Sequence, residues 1–134
     1  MITQDMNLST QKLKKLNKTQ QSLHALKEQR HNLWKIFFSP SLLVEGSFGE
    51  FLMRCGRANC HCRNQPCHLV TRISRWQEGK LKHKVVRVAD RQRIKPLSDN
   101  YKEHTRALNQ LIKVNKKEYQ LLKNVIGIKS FPYE

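Results

Sequence analysis

Acidic side chains are scarce in this chain: ten Asp and Glu stand against 26 Lys and Arg. The ten are scattered along the chain, so a carboxylate metal centre is not expected. Long apolar runs are missing too. Nowhere do the roughly 18 consecutive apolar residues of a membrane-spanning helix occur, so no membrane span is expected. Hydrophobic residues make up only 38% of the 134, little for a thick globular core. No Gly-rich phosphate loop, no Walker or Rossmann fingerprint and no nucleophile–base pair is recognisable, so an enzyme is not expected. The N-terminus, Met1-Ile-Thr-Gln-Asp-Met-Asn, lacks the charged and apolar regions of a signal peptide, which predicts a reducing, cytoplasmic setting. Few aromatics lie among the basic residues, which argues against binding a single strand by serial stacking.

Cysteine is absent everywhere except in one stretch. Cys55-Gly-Arg-Ala-Asn-Cys60-His61-Cys62-Arg-Asn-Gln-Pro-Cys67-His68 holds all four cysteines and two of the six histidines. The spacing is C-x4-C-x-C-x4-C. Soft thiolates suit Zn²⁺, and a closed structural site takes four ligands in a tetrahedron. Cys55, Cys60 and Cys62 are the expected ligands, with Cys67 or His68 as the fourth. Cys60 and Cys62 are too close together for an ordinary disulfide. A catalytic zinc keeps an open position beside an acid or base, which this sulfur-rich pattern does not suggest. One structural Zn²⁺ is the expectation.

Charge is uneven along the chain. The net charge is +16. Arg54, Arg57, Arg63, Arg72, Arg75, Lys80, Lys82, Lys84, Arg87, Arg91, Arg93 and Lys95 face only Glu78 and Asp90 in the same segment, a net +10 on and just after the cysteines. Such density predicts a polyanionic partner, nucleic acid first. Those twelve cations are the candidate phosphate contacts.

The flanks read as helices. Residues 1–9 are polar and expected to fray. From 10 to 39 no Gly or Pro intervenes before Pro40. Leu16, Leu23 and Phe37 repeat by sevens, with Leu26 and Leu33 beside them and Lys12, Thr19 and Arg30 on the seam. Trp34, Phe37 and Phe38 are read as core. Residues 42–95 form a basic head. Glu45–Gly49 reads as a turn and Glu50–Arg54 as a short strand. Leu69–Trp76 and Leu81–Val88 read as hairpin strands around Gln77-Glu78-Gly79-Lys80. Asp90–Pro96 reads as a basic link. A second helix is expected over 97–127, capped by Ser98 or Asp99 and ended by Gly127. On it Tyr101, Leu108 and Leu122 repeat by sevens. Leu111 and Val125 lie beside them, Ile112, Tyr119 and Ile126 widen the stripe, and Asn115 falls on the seam. Residues 128–134 form a short tail. The fold class is therefore α+β: two long helices, paired antiparallel or as a coiled coil, flank a zinc-bound loop and a β-hairpin. A homodimer through the same stripes is the competing arrangement.

Gly46-Ser47-Phe48, Arg54-Cys55-Gly56-Arg57, Cys60, Cys62, Pro66 and Asn100-Tyr101 carry a resemblance. Over roughly residues 45–120 the chain resembles a family of small basic bacterial proteins of uncharacterised domain type. Their core is Arg-Cys-Gly-Lys-x-x-Cys-x-Cys, then Pro-His-Gly-Pro-Tyr, a hairpin and a long helix containing Asn-Tyr. This chain departs from that core at Pro66-Cys67-His68-Leu69, and Cys67 is favoured as the fourth ligand. Members accompany transposases or site-specific recombinases, so the resemblance implies an accessory role in mobile-element recombination. Cys60-x-Cys62-x4-Cys67 also looks like the zinc-binding tail after eukaryotic SET methyltransferase domains, from which only zinc carries over.

These readings predict a bacterial nucleic-acid-binding accessory protein, nucleoid-associated if its target is DNA. The recombinase-linked resemblance favours DNA over structured RNA. The alternative is a non-catalytic adaptor whose helices dock on a recombinase or transposase. His24, His31, His83 and His104 are isolated in sequence and read as surface or boundary residues.

Overall fold

In the computed structural model, which describes residues 6–134, α1 (Thr10–Phe37) and α2 (Arg91–Lys129) enclose in sequence a sheet of β1 (Ser47–Met53), β2 (His68–Gln77) and β3 (Lys80–Val85). Short 3₁₀ turns fall at His61–Arg63 and Val88–Asp90. The expected fraying of residues 1–5 lies outside the described residues. The chain divides into two compact units: a helical unit of α1 with Ala107–Glu134, and a head of Ser39–Arg106. Among the described residues no helix is long and apolar enough to cross a membrane.

In the helical unit, Ser9 caps α1: its Oγ accepts from the Lys12 N–H at 3.3 Å and its carbonyl from Leu13 at 2.9 Å. The two helices run antiparallel, because Lys12 shares a cleft with Asn124 and Gly127 while Leu33 shares one with Gln110 and Val114. Leu26 and Leu33 of α1 bury against Ala107 and Val114 of α2, with Ile36, Phe37, Leu111 and Leu121 packed around them. Both pairs are seven apart, so they recur on one helix face every two turns. Arg30 falls on this seam and is satisfied there, with its Nη2 donating to Asn115 Oδ1 at 3.1 Å and ion-pairing with Glu118.

Of the α2 stripe expected from the sequence, Leu111 packs on the seam, whereas the leading Leu108 and Leu122 miss it by one residue. Leu108, Ile112, Tyr119, Leu122 and Ile126 are 48–69% exposed, and Ala107, Leu111, Val114 and Leu121 take the seam. Two neighbouring stripes, about 100° apart around the axis, are both apolar, so periodicity alone ranks the larger side chains first. Small Ala107 and Val114 let the helices approach. Trp34 and Phe38, expected in the core, are exposed, and only Phe37 of that trio packs inward.

In the head the strand order is β1-β2-β3, antiparallel throughout. The hairpin turn is two residues, Glu78 and Gly79, with φ of 52° and 75°. Both are left-handed, as the right-handed twist of a tight hairpin demands. At Gly46, φ is 122° and an added Cβ would lie 2.6 Å from Ile73 Cγ2 and 2.8 Å from the Ser74 carbonyl oxygen, so only glycine fits.

α2 begins at Arg91 rather than Leu97 and includes Pro96. Pro96 removes the N–H that would bond to the Gln92 carbonyl. Tertiary anchors on both sides hold the helix through that loss. Arg91 Nη2 donates to the Leu69 carbonyl at 3.2 Å, the Val44 N–H donates to the Leu97 carbonyl at 3.1 Å, and Ser98 Oγ donates to the Gly46 carbonyl at 3.2 Å. Ser98 is therefore a fully buried strut, not the expected cap. At the other end the helix runs through Gly127 to Lys129.

Candidate metal centre and the basic head

β1 and β2 deliver the cysteine loop. Their last paired rung is Met53 opposite His68. The loop therefore leaves the sheet two residues before Cys55 and returns at His68. Gly56 turns the chain with φ of 79° directly after Cys55. Cys60 and Cys62 sit on the 3₁₀ turn, which is closed by Arg63 N–H to the Cys60 carbonyl at 3.1 Å. The loop has few apolar side chains, so this geometry rests on backbone bonds and on whatever the sulfurs hold.

Four ligand atoms converge: those of Cys55, Cys60, Cys62 and His68 all lie within 4.8 Å of one another. Cys55 Sγ and Cys62 Sγ are 3.5 Å apart and unbonded, and Cys60 Sγ is 3.3 Å from His68 Nε2. Zn–S bonds of about 2.3 Å give a tetrahedron with edges of ~3.8 Å, close to these separations. The cluster can hold one metal ion. It differs from the sequence expectation in its fourth member. Cys67 Sγ turns away to lie 3.3 Å from His61 Nε2, so the loop sorts its six soft side chains into a cluster of four and a separate pair. Sequence distance could not make that choice, because the strand rung is what places His68.

The thiols are electrostatically unequal. The Arg57 backbone N–H, followed by the Cys62 side chain, holds the Cys55 thiol below its ordinary value. At Cys62 the Cys55 backbone N–H pulls downward, but burial and the Cys60 and Cys55 thiols outweigh it and push the thiol up to about 11. Its side chain is 1% exposed, the most buried sulfur of the four. Four converging ligand atoms, one of them on a buried thiol, could hold one metal ion.

The twelve predicted phosphate-binding cations separate into groups. Arg54, Arg57 and Arg63 stand exposed on or beside the cysteine loop. Arg75, Lys82, Lys84 and Arg87 line a cleft of about 750 Å³ with Val44, Ile73, Val86 and Ile94. The hairpin register explains this gathering: Arg75 is opposite Lys82 and Ile73 opposite Lys84, so all four share one sheet face. Lys80, opposite Gln77, extends the row, and Lys95 is exposed on α2. The remaining three have internal partners. Arg91 anchors α2, Arg93 ion-pairs with Asp90 at 3.3 Å, and Arg72 lies over the Phe51 ring at 3.8 Å. Arg75 also has a loose ion pair with Glu45 at 3.7 Å. His83, isolated in sequence, shares a 2.6 Å hydrogen bond with Ser74. The period of two along paired strands was the available signal for that contact.

Comparison with protein-family models, with curated proteins and with solved structures finds no match. The functional reading therefore rests on the residues of this chain.

Proposed function

We propose that this protein is a non-catalytic nucleic-acid-binding accessory protein whose head is held together by one structural Zn²⁺. The observation that carries the reading is the row Arg75, Lys82, Lys84 and Arg87 along one cleft. Exposed Arg54, Arg57 and Arg63 add to it on the metal loop. Phosphate backbones take such cations by charge and by release of their own counterions. Three thiolates and an imidazole favour zinc over the hard cations, which prefer oxygen. Held by Cys55, Cys60, Cys62 and His68, the ion supplies a cross-link between the end of the sheet and the loop. DNA is the favoured polymer and transposition or recombination the favoured setting, because of the resemblance described above.

The test is binding of labelled duplex DNA and structured RNA at two salt concentrations. For B-DNA, log K is expected to fall with log salt by about 0.9 per phosphate contacted. The triple change Lys82→Glu, Lys84→Glu and Arg87→Glu should weaken binding and flatten that slope, with the melting temperature unchanged. Undiminished affinity in the folded triple variant would exclude the cleft as the binding surface.

A second reading has its own support. Leu108, Ile112, Tyr119, Leu122 and Ile126 make an exposed apolar stripe along α2. It favours an adaptor whose helix docks on a recombinase or transposase, or on a second copy of the chain. Weak binding to both polymers by metal-loaded protein would favour this reading.

A further inference from the structure

The opposite face of the sheet is partly open, with Tyr101, Lys102 and Thr105 of α2 near its Ser74–Trp76 end, and its strands carry aromatics where the cleft carries cations. Alternation along the paired strands puts Phe51 of β1, Arg72, Ser74 and Trp76 of β2, and Leu81 and His83 of β3 on that face. Trp76 is 70% exposed, Leu81 47% and Phe51 39%. None of the strand residues on this face is acidic. A solvent-facing sheet ordinarily carries polar side chains, so a row of exposed aromatic and aliphatic ones marks a candidate binding surface.

The local geometry is that of a stack. The Phe51 ring packs against Gly49, where an added Cβ would come within 2.8 Å of it. The Arg72 guanidinium covers the ring at 3.8 Å, and its Nε has no hydrogen-bond partner. The hydrogen-bonded Ser74–His83 pair forms the next rung, and Trp76 with Leu81 the one after. From Arg72 to Trp76 is four residues, ~13 Å along the strand at about 3.3 Å each. Along the strand direction the rungs of Arg72, of Ser74 with His83, and of Trp76 thus follow one another at ~6–7 Å. Beyond Trp76 a cavity of about 290 Å³ brings Tyr101 and Lys102 beside Trp76 and Arg75.

We propose that this face binds the bases of an unpaired nucleic-acid strand, splayed over the Arg72–Phe51 stack, His83 and Trp76, which reverses the sequence expectation against single-strand stacking because strand register gathers planar groups that lie apart in the sequence. The spacing is wider than the ~3.4 Å of stacked bases in a duplex, and a duplex hides its base faces within its own stack. Unpaired bases offer those faces to aromatic rings and guanidinium planes. The charge is complementary, since Arg72 is on the face and Lys102 beside it, the strand residues of the face carry no carboxylate, and Glu45 at the edge of the cavity is paired with Arg75 at 3.7 Å. The inference rests on the nucleic-acid reading above and narrows it to the opened form of the polymer.

The experiment uses the full metal-loaded chain in a Trp34→Phe background, so that Trp76 is the sole tryptophan. An oligothymidylate and a duplex of equal length are titrated at one salt concentration, following Trp76 emission and affinity. The single strand should quench Trp76 and the duplex should not. Trp76→Ala should weaken single-strand binding roughly five- to hundredfold, the range for loss of one stacked base, with little change for the duplex. Trp76→Phe should restore most of the loss, which a merely structural role for the indole would not require. Tight duplex binding without single-strand binding would overturn this inference and leave the broader reading standing. Binding of neither would overturn both. A dimer in sedimentation that Trp76→Ala dissolves would overturn it by assigning the face to self-association.

Discussion

The helical unit and the head solve the same problem by different means. The helical unit buries Leu26, Leu33, Ala107 and Val114 along a two-helix seam, an ordinary apolar core if a narrow one. The head, among the described residues, buries only Cys62, Thr71 and Ser98 to the same degree. Two of those are hydroxyl residues and the third is a sulfur of the metal cluster. Burying an aliphatic side chain contributes about 1.5–3 kcal/mol, whereas a buried hydroxyl must first recover its lost hydrogen bonds to water. Thr71 Oγ1 does not recover them within the protein. The head therefore lacks the apolar burial that holds the helices together, and under the proposed reading a metal ion on Cys55, Cys60, Cys62 and His68 would supply the missing stabilisation. The comparison teaches where to expect fragility: the helical unit should be insensitive to chelators, and the head should depend on its ion.

The largest effect should come from removing that ion. Metal binding in small sites is folding free energy, on the order of 10 kcal/mol for three or four thiolate and imidazole ligands. Cys60→Ser, or a strong chelator, should unfold the head while much of the far-ultraviolet helix signal survives. Native mass spectrometry and calorimetry check this. A mass and melting curve indifferent to the chelator would remove the distinction between the units.

A narrower test separates the fourth ligand from its neighbour. His68→Ala should lower metal affinity roughly a hundredfold or more, since even the partners of ligands commonly contribute 10–100-fold. Cys67→Ala should leave one ion bound with affinity within about tenfold of the parent, because its sulfur pairs with His61 outside the cluster. Competition with a chromophoric chelator measures both. The reverse order would make Cys67 the ligand.

The smallest effects sharpen the helical side. Leu33→Ala should destabilise the helical unit by about 2–5 kcal/mol, as for other buried leucines. Leu122→Ala, at an exposed position one stripe away, should stay within about 0.5 kcal/mol. Equal losses in thermal melts would mean that the outer stripe is covered in solution.

Much of this arrangement was readable in the residues. The cysteine cluster marked the metal loop, Glu78-Gly79 marked the hairpin, and the heptad spacing of α1 named its true seam, Arg30 included. The misses share one cause. Pro96 read as a helix boundary because a local rule was applied where the Arg91, Leu97 and Ser98 anchors decide. On α2 the leading Leu108 and Leu122 missed the seam by one residue because two adjacent stripes are apolar and only a partner surface selects between them. Phe51 precedes the first of the twelve cations, Arg54, in sequence, and only strand register brings it beneath Arg72.

Composition and local pattern were enough to determine the classes of element and the chemistry available: two helices, a hairpin, soft ligands and a concentrated positive charge. Those depend on spacing within one segment, which the chain carries in one dimension. The tertiary structure alone decided which thiol and which imidazole meet, which stripe of α2 is covered, and which face of the sheet takes the cations and which the aromatics. Each of these is a choice between neighbours of near-equal local preference. It is settled by strand register and helix packing, where a shift of one residue moves a side chain to the other side of the element.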